Sequence, residues 1–147
     1  MCASENIVPI KKGLWTTLPS GEARLLGSRC PSCGELFFPR KSNGNCTHCQ
    51  EQTLEAVELG PLGHIDAYTA VLQPPAGGFY HGVVPYCYGL IALDEGLRVE
   101  ARISGSYEAL KRGLRVKLVT ETMWADQEGK HIQAFSFAPL DEQGGAA

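Results

Sequence analysis

The sequence predicts a mainly β protein in two parts: a small metal-stapled ribbon, then a barrel of five short strands. Three observations carry this. Cys30-Pro31-Ser32-Cys33 is answered, after twelve intervening residues, by Cys46-Thr47-His48-Cys49. Beyond Gly60-Pro61-Leu62-Gly63 the chain breaks into short alternating or apolar runs separated by turn residues. Seventeen glycines and nine prolines in 147 residues favour turns and short strands over long helices.

The doubled Cys-x-x-Cys can bring four thiolates onto one metal ion tetrahedrally, as in a closed structural zinc site. Gly34 suits the tight turn of a knuckle, in which backbone N–H groups point at the sulfurs. Cys30, Cys33, Cys46 and Cys49 are therefore the candidate metal ligands. A disulfide framework would belong to a secreted chain, and Met1 to Ile10 carries Glu5, Asn6 and Pro9 rather than a leader-like apolar run. A thioredoxin-like redox pair fits a lone motif better than two at this spacing. Zinc is the expected occupant, and iron its rival on the same four sulfurs. A closed site leaves no open coordination position, which implies scaffolding rather than catalysis.

Composition narrows the function classes. The chain is 44% hydrophobic, and no stretch approaches the roughly 18–20 apolar residues that span a membrane. Thirteen basic against sixteen acidic residues give a net charge of −3, which weighs against general nucleic-acid binding. A cytoplasmic location is the expectation.

Residues 1–22 form an N-terminal arm with weak periodicity, room for one short helix, and Trp15 packing on its own domain. Residues 23–60 are the ribbon. Arg24 to Arg29 leads into the first knuckle, Leu36-Phe37-Phe38 leads out, and Thr53 to Leu59 alternates polar and apolar. So few apolar residues couple ribbon folding to metal binding. Residues 61–140 are the barrel, with strands at His64–Leu72, Tyr86–Leu93, Leu97–Ile103, Arg115–Met123 and His131–Ala138. Ile65, Ala67, Thr69 and Val71 share one side of the first. Ser106 to Arg112 supplies one or two helical turns ended by Gly113. Residues 141–147 are a flexible tail. Five strands with a short helix between the third and fourth is the element order of an OB-fold barrel, though a generic Greek-key barrel or sandwich gives nearly the same string.

These residues resemble a known family. Arg29-Cys30-Pro31-Ser32-Cys33-Gly34, Phe38-Pro39-Arg40, Cys46 to Cys49, and Gly60-Pro61-Leu62-Gly63-His64-Ile65 follow its ribbon and first barrel strand. Leu90 to Gly96, Gly113-Leu114-Arg115-Val116 and Phe137-Ala138-Pro139 follow its later hairpin, fourth-strand entrance and ending. The family is the rubredoxin-like zinc ribbon plus OB-fold proteins associated with acyl-CoA enzymes, long called a domain of unknown function, number thirty-five. The resemblance implies a non-catalytic accessory subunit in a hetero-oligomer. Its partner would be a thiolase-like acyltransferase, or else an acyl-CoA hydratase or retro-aldolase, with acyl-CoA the ligand of the complex. A nucleic-acid-binding ribbon plus OB protein is the alternative from another class.

No catalytic constellation stands out. His48 is a spacer inside a knuckle, and Cys87 lies in an apolar run where a cysteine is an inert small hydrophobe. Phe79, Tyr80 and His81 sit in a glycine-flanked loop suited to moulding onto a partner or substrate. Arg98 and Arg102 share one strand face with Glu100 between them. A solvated face and a basic strip for CoA phosphates both fit these charges, with Lys111, Arg112, Arg115 and Lys117 adding to them.

Overall fold

The computed structural model describes residues 7–41, 44–52, 54–78 and 80–140. Ten strands form two sheets. The first four are β1 (Ile7–Pro9), β2 (Trp15–Thr17), β3 (Ala23–Arg29) and β4 (Leu36–Phe37). They are followed by β5 (Glu55–Leu59), β6 (Leu62–Val71), β7 (Tyr86–Leu93) and β8 (Arg98–Ile103), then β9 (Arg115–Ala125) and β10 (His131–Pro139).

The ribbon is a sheet built on β3, with β5 along one edge and β2 and β4 sharing the other. The barrel runs β6-β7-β8-β10-β9 and closes where β9 pairs antiparallel with β6. Only the β8–β10 pairing inside it is parallel, forced by the excursion through β9. A closed five-stranded barrel in this order is the OB arrangement.

Three expectations change in the structure. The arm has no helix among its described residues. Instead β2 joins the ribbon sheet, and β1 lies parallel to β10 from Ile7↔His131 to Pro9↔Gln133. The helix expected over 106–112 is a single 3-10 turn, Tyr107–Ala109. The uniform alternation expected along β6 breaks at Asp66, where register with β7 shifts between Ile65↔Ile91 and Ala67↔Leu90. This bulge moves Ala67 and Thr69 to the exposed face while Ile65 stays fully buried and Tyr68 packs on the core. Tyr68 then donates its hydroxyl to the Leu110 carbonyl at 2.9 Å.

One core serves both parts. Leu25 and Leu59 of the ribbon belong to the same buried cluster as Ile65, Ile91, Val116 and Phe137 of the barrel. Trp15 and Phe38 both pack edge-on against Phe135, with ring centroids 6.0 and 5.8 Å away. The Leu36-Phe37-Phe38 segment, too apolar for a small module to bury by itself, is thus largely satisfied within the chain: Leu36 and Phe38 pack on the core and Lys41 lies over the Phe37 ring. Arg40 braces the ribbon, donating to the carbonyls of Gly27 and Val57 at 2.9 and 2.8 Å.

Candidate functional site

The two knuckles are built alike. In the first, Gly34 N–H donates to the Cys30 carbonyl at 2.7 Å and Cys30 N–H to the Glu35 carbonyl at 2.9 Å. In the second, Gln50 N–H donates to the Cys46 carbonyl at 2.7 Å and Cys46 N–H to the Glu51 carbonyl at 2.8 Å. The repeat brings Cys30, Cys33, Cys46 and Cys49 together with all four Sγ atoms within 4.8 Å of one another. Cys30–Cys49 and Cys33–Cys46 are each 3.6 Å apart. A tetrahedral ion with metal–sulfur distances of ~2.3 Å needs sulfur–sulfur edges of about 3.8 Å. The cradle fits.

Electrostatics point the same way. The Cys33 amide beside Cys30 holds that thiol down to about 6, against the opposing effect of burial. Burial acts most strongly on Cys46, and upward, yet the amides of Cys49 and His48 bring its thiol below the ordinary value. Cys33 has the Glu35 amide favouring its thiolate, but burial and the three neighbouring sulfurs push it up to about 12. Four negative sulfurs this close repel one another, so they ionise together only around a cation.

The loop and strand residues separate into two groups. Phe79 lies outside the described residues. Tyr80 packs against Tyr86 and Trp124, both 5.3 Å away between centroids, and His81 meets Trp124 edge-on at 5.7 Å. Arg102 lies over the Tyr86 ring at 4.5 Å and donates Nη1–H to the Tyr80 hydroxyl at 3.2 Å. Its Nε is 3.6 Å from Glu121 Oε2. Tyr80 in turn donates to the Val83 carbonyl at 2.8 Å. Arg102, Tyr80, Tyr86, Tyr88 and Phe135 line a groove of about 450 Å³ on the outer barrel face. Arg98 is not among its lining. It pairs with Asp66 at 3.0 Å, and Arg112 shares the same carboxylate at 3.8 Å. Arg115 grips Asp94 with two bonds of 2.8 and 2.9 Å, and Lys117 pairs with Glu22.

Exposed hydrophobic side chains lie on and beside the long β6–β7 loop, apart from Ile7 and Ile10 at β1. Leu72 and Val83 are 70% and 73% exposed, with Val84, Tyr88 and Tyr107 also open. Cys87 is buried, 3.7 Å from the Gly105 carbonyl, and burial pushes its thiol up, as suits an unreactive core cysteine. Sequence reasoning missed Trp124, against which both loop residues pack. Its signal was an aromatic at the far end of a strand whose other apolar residues are aliphatic or Met123. No helix among the described residues is long and apolar enough to cross a membrane.

Comparison with known proteins agrees with this architecture. Residues 21–55 match the family described as "ChsH2, rubredoxin-like zinc ribbon domain", and residues 56–121 match "ChsH2, C-terminal OB-fold domain". A "DUF35 domain-containing scaffold protein" of Pyrococcus furiosus is 30% identical over 80% of this chain and 84% of the relative. The "Benzoylsuccinyl-CoA thiolase subunit BbsA" of Thauera aromatica is 29% identical over 79% of this chain and 76% of that protein. Among solved structures, an "Ltp2-ChsH2(DUF35) aldolase" chain superposes with a TM-score of 0.59 at 28% identity, covering 79% and 84% of the two chains. With a four-sulfur metal cradle, a five-stranded OB barrel and these relatives, the chain belongs to the DUF35 family of rubredoxin-like zinc ribbon plus OB-fold proteins.

Proposed function

We propose that this chain is a non-catalytic accessory subunit of an acyl-CoA enzyme complex, with a thiolase-like acyltransferase as its partner. The observation that carries this is the exposed apolar surface around the β6–β7 loop, Leu72, Val83, Val84 and Tyr107, on a chain whose metal cradle is closed and whose Cys87 is buried and inert. Cys30, Cys33, Cys46 and Cys49 hold zinc, with iron the less favoured occupant, and the ion organises the ribbon rather than reacting. The loop, through Phe79, Tyr80 and His81, docks on the partner and sets the position of the outer groove beside the partner's acyl-CoA site. Support comes from relatives whose names place them as a thiolase subunit and in an aldolase complex.

The aldolase name favours a second reading, in which the partner is a retro-aldolase and the same surface docks on it. A nucleic-acid role has less support, since every barrel arginine is matched by a carboxylate and the net charge is −3. Co-expression with thiolase-like and aldolase-like enzymes of the same organism, followed by size exclusion, is the test. Co-elution with the thiolase-like chain supports the first reading, and with the aldolase the second. Separate elution from both, with full activity of each enzyme alone, overturns the accessory role.

A further inference from the structure

The barrel's arginines are spoken for, while its Lys111 and Lys130 have no ion-pair partner among the described residues. Arg98 and Arg112 share Asp66, Arg102 faces Glu121, Arg115 grips Asp94, and Lys117 reaches Glu22. The arginines of the strip that the sequence offered for phosphates are therefore neutralised, which leaves Lys111 as its unmatched cation among the described residues. A different pair of cations stands apart from these pairings. Lys11 and Lys12 follow β1 in the turn that carries the chain from the barrel to the ribbon, and among the described residues neither has an ion-pair partner.

Both lysines line one cavity of about 420 Å³ between β1, β2 and β10. The other polar walls come from Trp15, Thr16, Thr17 and Gln133, and among the described residues no carboxylate lines it, although acidic residues outnumber basic ones in the chain. Ammonium groups and an indole N–H donate only, while threonine hydroxyls and a glutamine amide can donate as well as accept. Gly13, at φ 86°, takes the left-handed conformation that closes the turn behind the two lysines. Its position is also fixed: Ile10 N–H donates to the Gln133 carbonyl at 2.7 Å on one side, and β2 pairs with β3 on the other. Two adjacent cations without counter-charge, in a donor-lined cavity on an anchored turn, form a site for an anion with several acceptor oxygens. The volume falls in the roughly 300–1,000 Å³ range of small-molecule pockets, large enough for more than a bare ion.

We infer that this cavity binds the phosphoryl groups of a phosphorylated small molecule, with Lys11 and Lys12 as the charged contacts and Thr16, Thr17 and Gln133 as the neutral ones. Identifying that molecule with the phosphorylated nucleotide end of CoA rests on the acyl-CoA reading above; the phosphoryl binding itself does not. Failure of the partner to co-elute would leave the site standing, and failure of the site would leave the partnership standing.

The test is titration calorimetry of the metal-loaded full chain with inorganic pyrophosphate and with adenosine 3′,5′-bisphosphate at constant ionic strength, sodium sulfate serving as comparator. A Trp124→Phe background isolates Trp15 fluorescence as a second readout at the cavity wall. Both phosphoryl probes should bind, at least ten-fold more tightly than sulfate. The K11Q/K12Q double variant should weaken them at least ten-fold, and Arg112→Gln should change them less than two-fold. Tighter binding of the bisphosphate assigns the ligand to nucleotides, and equal binding assigns recognition to the phosphoryl groups alone; either supports the inference. No binding at millimolar probe, no preference over sulfate, or an undiminished K11Q/K12Q variant overturns it. Because both lysines are exposed, an unchanged melting temperature is expected for the double variant, so loss of binding reads on the site.

Discussion

Gln50 occupies in the second knuckle the position that Gly34 occupies in the first. Their φ values are 70° and 83°, and each amide donates to the carbonyl of its knuckle's leading cysteine at 2.7 Å. A left-handed conformation disfavours a residue with a Cβ by roughly 1–2 kcal/mol, partly offset by the ~0.5–1 kcal/mol of unfolded-chain entropy that glycine loses. The two knuckles are therefore unequal although their hydrogen bonds match. Gln50→Gly should stabilise the ribbon by up to about 1 kcal/mol, and Gly34→Ala should destabilise it by about 1 kcal/mol. Chelator-challenge half-lives of the metal-loaded variants give the order; a Gln50→Gly variant that loses metal faster than the wild type defeats the argument.

Metal removal should be felt beyond the ribbon. Cys46→Ser leaves three sulfurs, and the ribbon's hydrogen-bonded knuckles then have no common centre. Leu25, Leu59, Trp15 and Phe38 pack on the barrel, so unfolding of β3 to β5 uncovers the barrel at Phe135. The expected outcome is about one zinc ion per chain for the wild type and none for the variant. Amide protection should be lost in β3 and β5 but kept in β7 and β8. Full protection of β3 in metal-free protein would contradict coupled folding.

Phe135 is the seam between the two parts. Truncating a buried phenylalanine costs roughly 3–5 kcal/mol, and Phe135 is only partly buried, so Phe135→Ala should fall near the low end, about 3 kcal/mol. Urea titration of the metal-loaded protein measures it. A loss below about 1 kcal/mol would mean that the aromatic contacts with Trp15 and Phe38 do not hold the parts together.

The elements with a strong local pattern were legible in the sequence. The doubled Cys-x-x-Cys, the apolar run Tyr86 to Leu93 and the alternation Val99, Ala101, Ile103 each correspond to what the structure holds at those residues. What was hidden depends on distant partners. β1 and β2 are three residues each, too short for periodicity, and exist because β10 and β3 offer edges to pair with. The Asp66 bulge leaves no composition signal, because a carboxylate on a strand reads as an outward residue whether or not the register slips. Arg98 and Arg102 looked like one strip, and only the fold shows that their counter-charges, Asp66 and Glu121, come from two other strands.

Gly89 pairs with Tyr68, two residues past that bulge. A Cβ there would meet the Ala67 carbonyl oxygen and would lie 2.9 Å from the Tyr68 Cα, both backbone atoms that cannot move aside singly. Overpacking of this kind costs about 1–3 kcal/mol and sometimes more. Gly89→Ala should sit at the top of that range, about 3 kcal/mol. Thermal unfolding checks it, and a melting temperature within two degrees or so of wild type would mean that the bulge relaxes freely.

The Arg115–Asp94 pair supplies the pH prediction. The Arg115 guanidinium holds the Asp94 carboxyl below its ordinary value of 3.8. A carboxyl lowered on folding contributes stability that is present above its unfolded value and disappears as the pH falls through its lower folded value. Both side chains are partly exposed, 39% and 47%, so solvent limits the contribution to under about 1 kcal/mol even with two-point geometry. Asp94→Asn should therefore lower stability slightly at pH 7, with the difference from wild type shrinking below about pH 4. Arg115→Gln should remove the same pH-dependent part, and the double variant should lose less than the sum of the two single losses, because the pair is counted in both. A difference that persists unchanged at pH 2 would assign the effect of Asp94 to the β7–β8 turn rather than to Arg115.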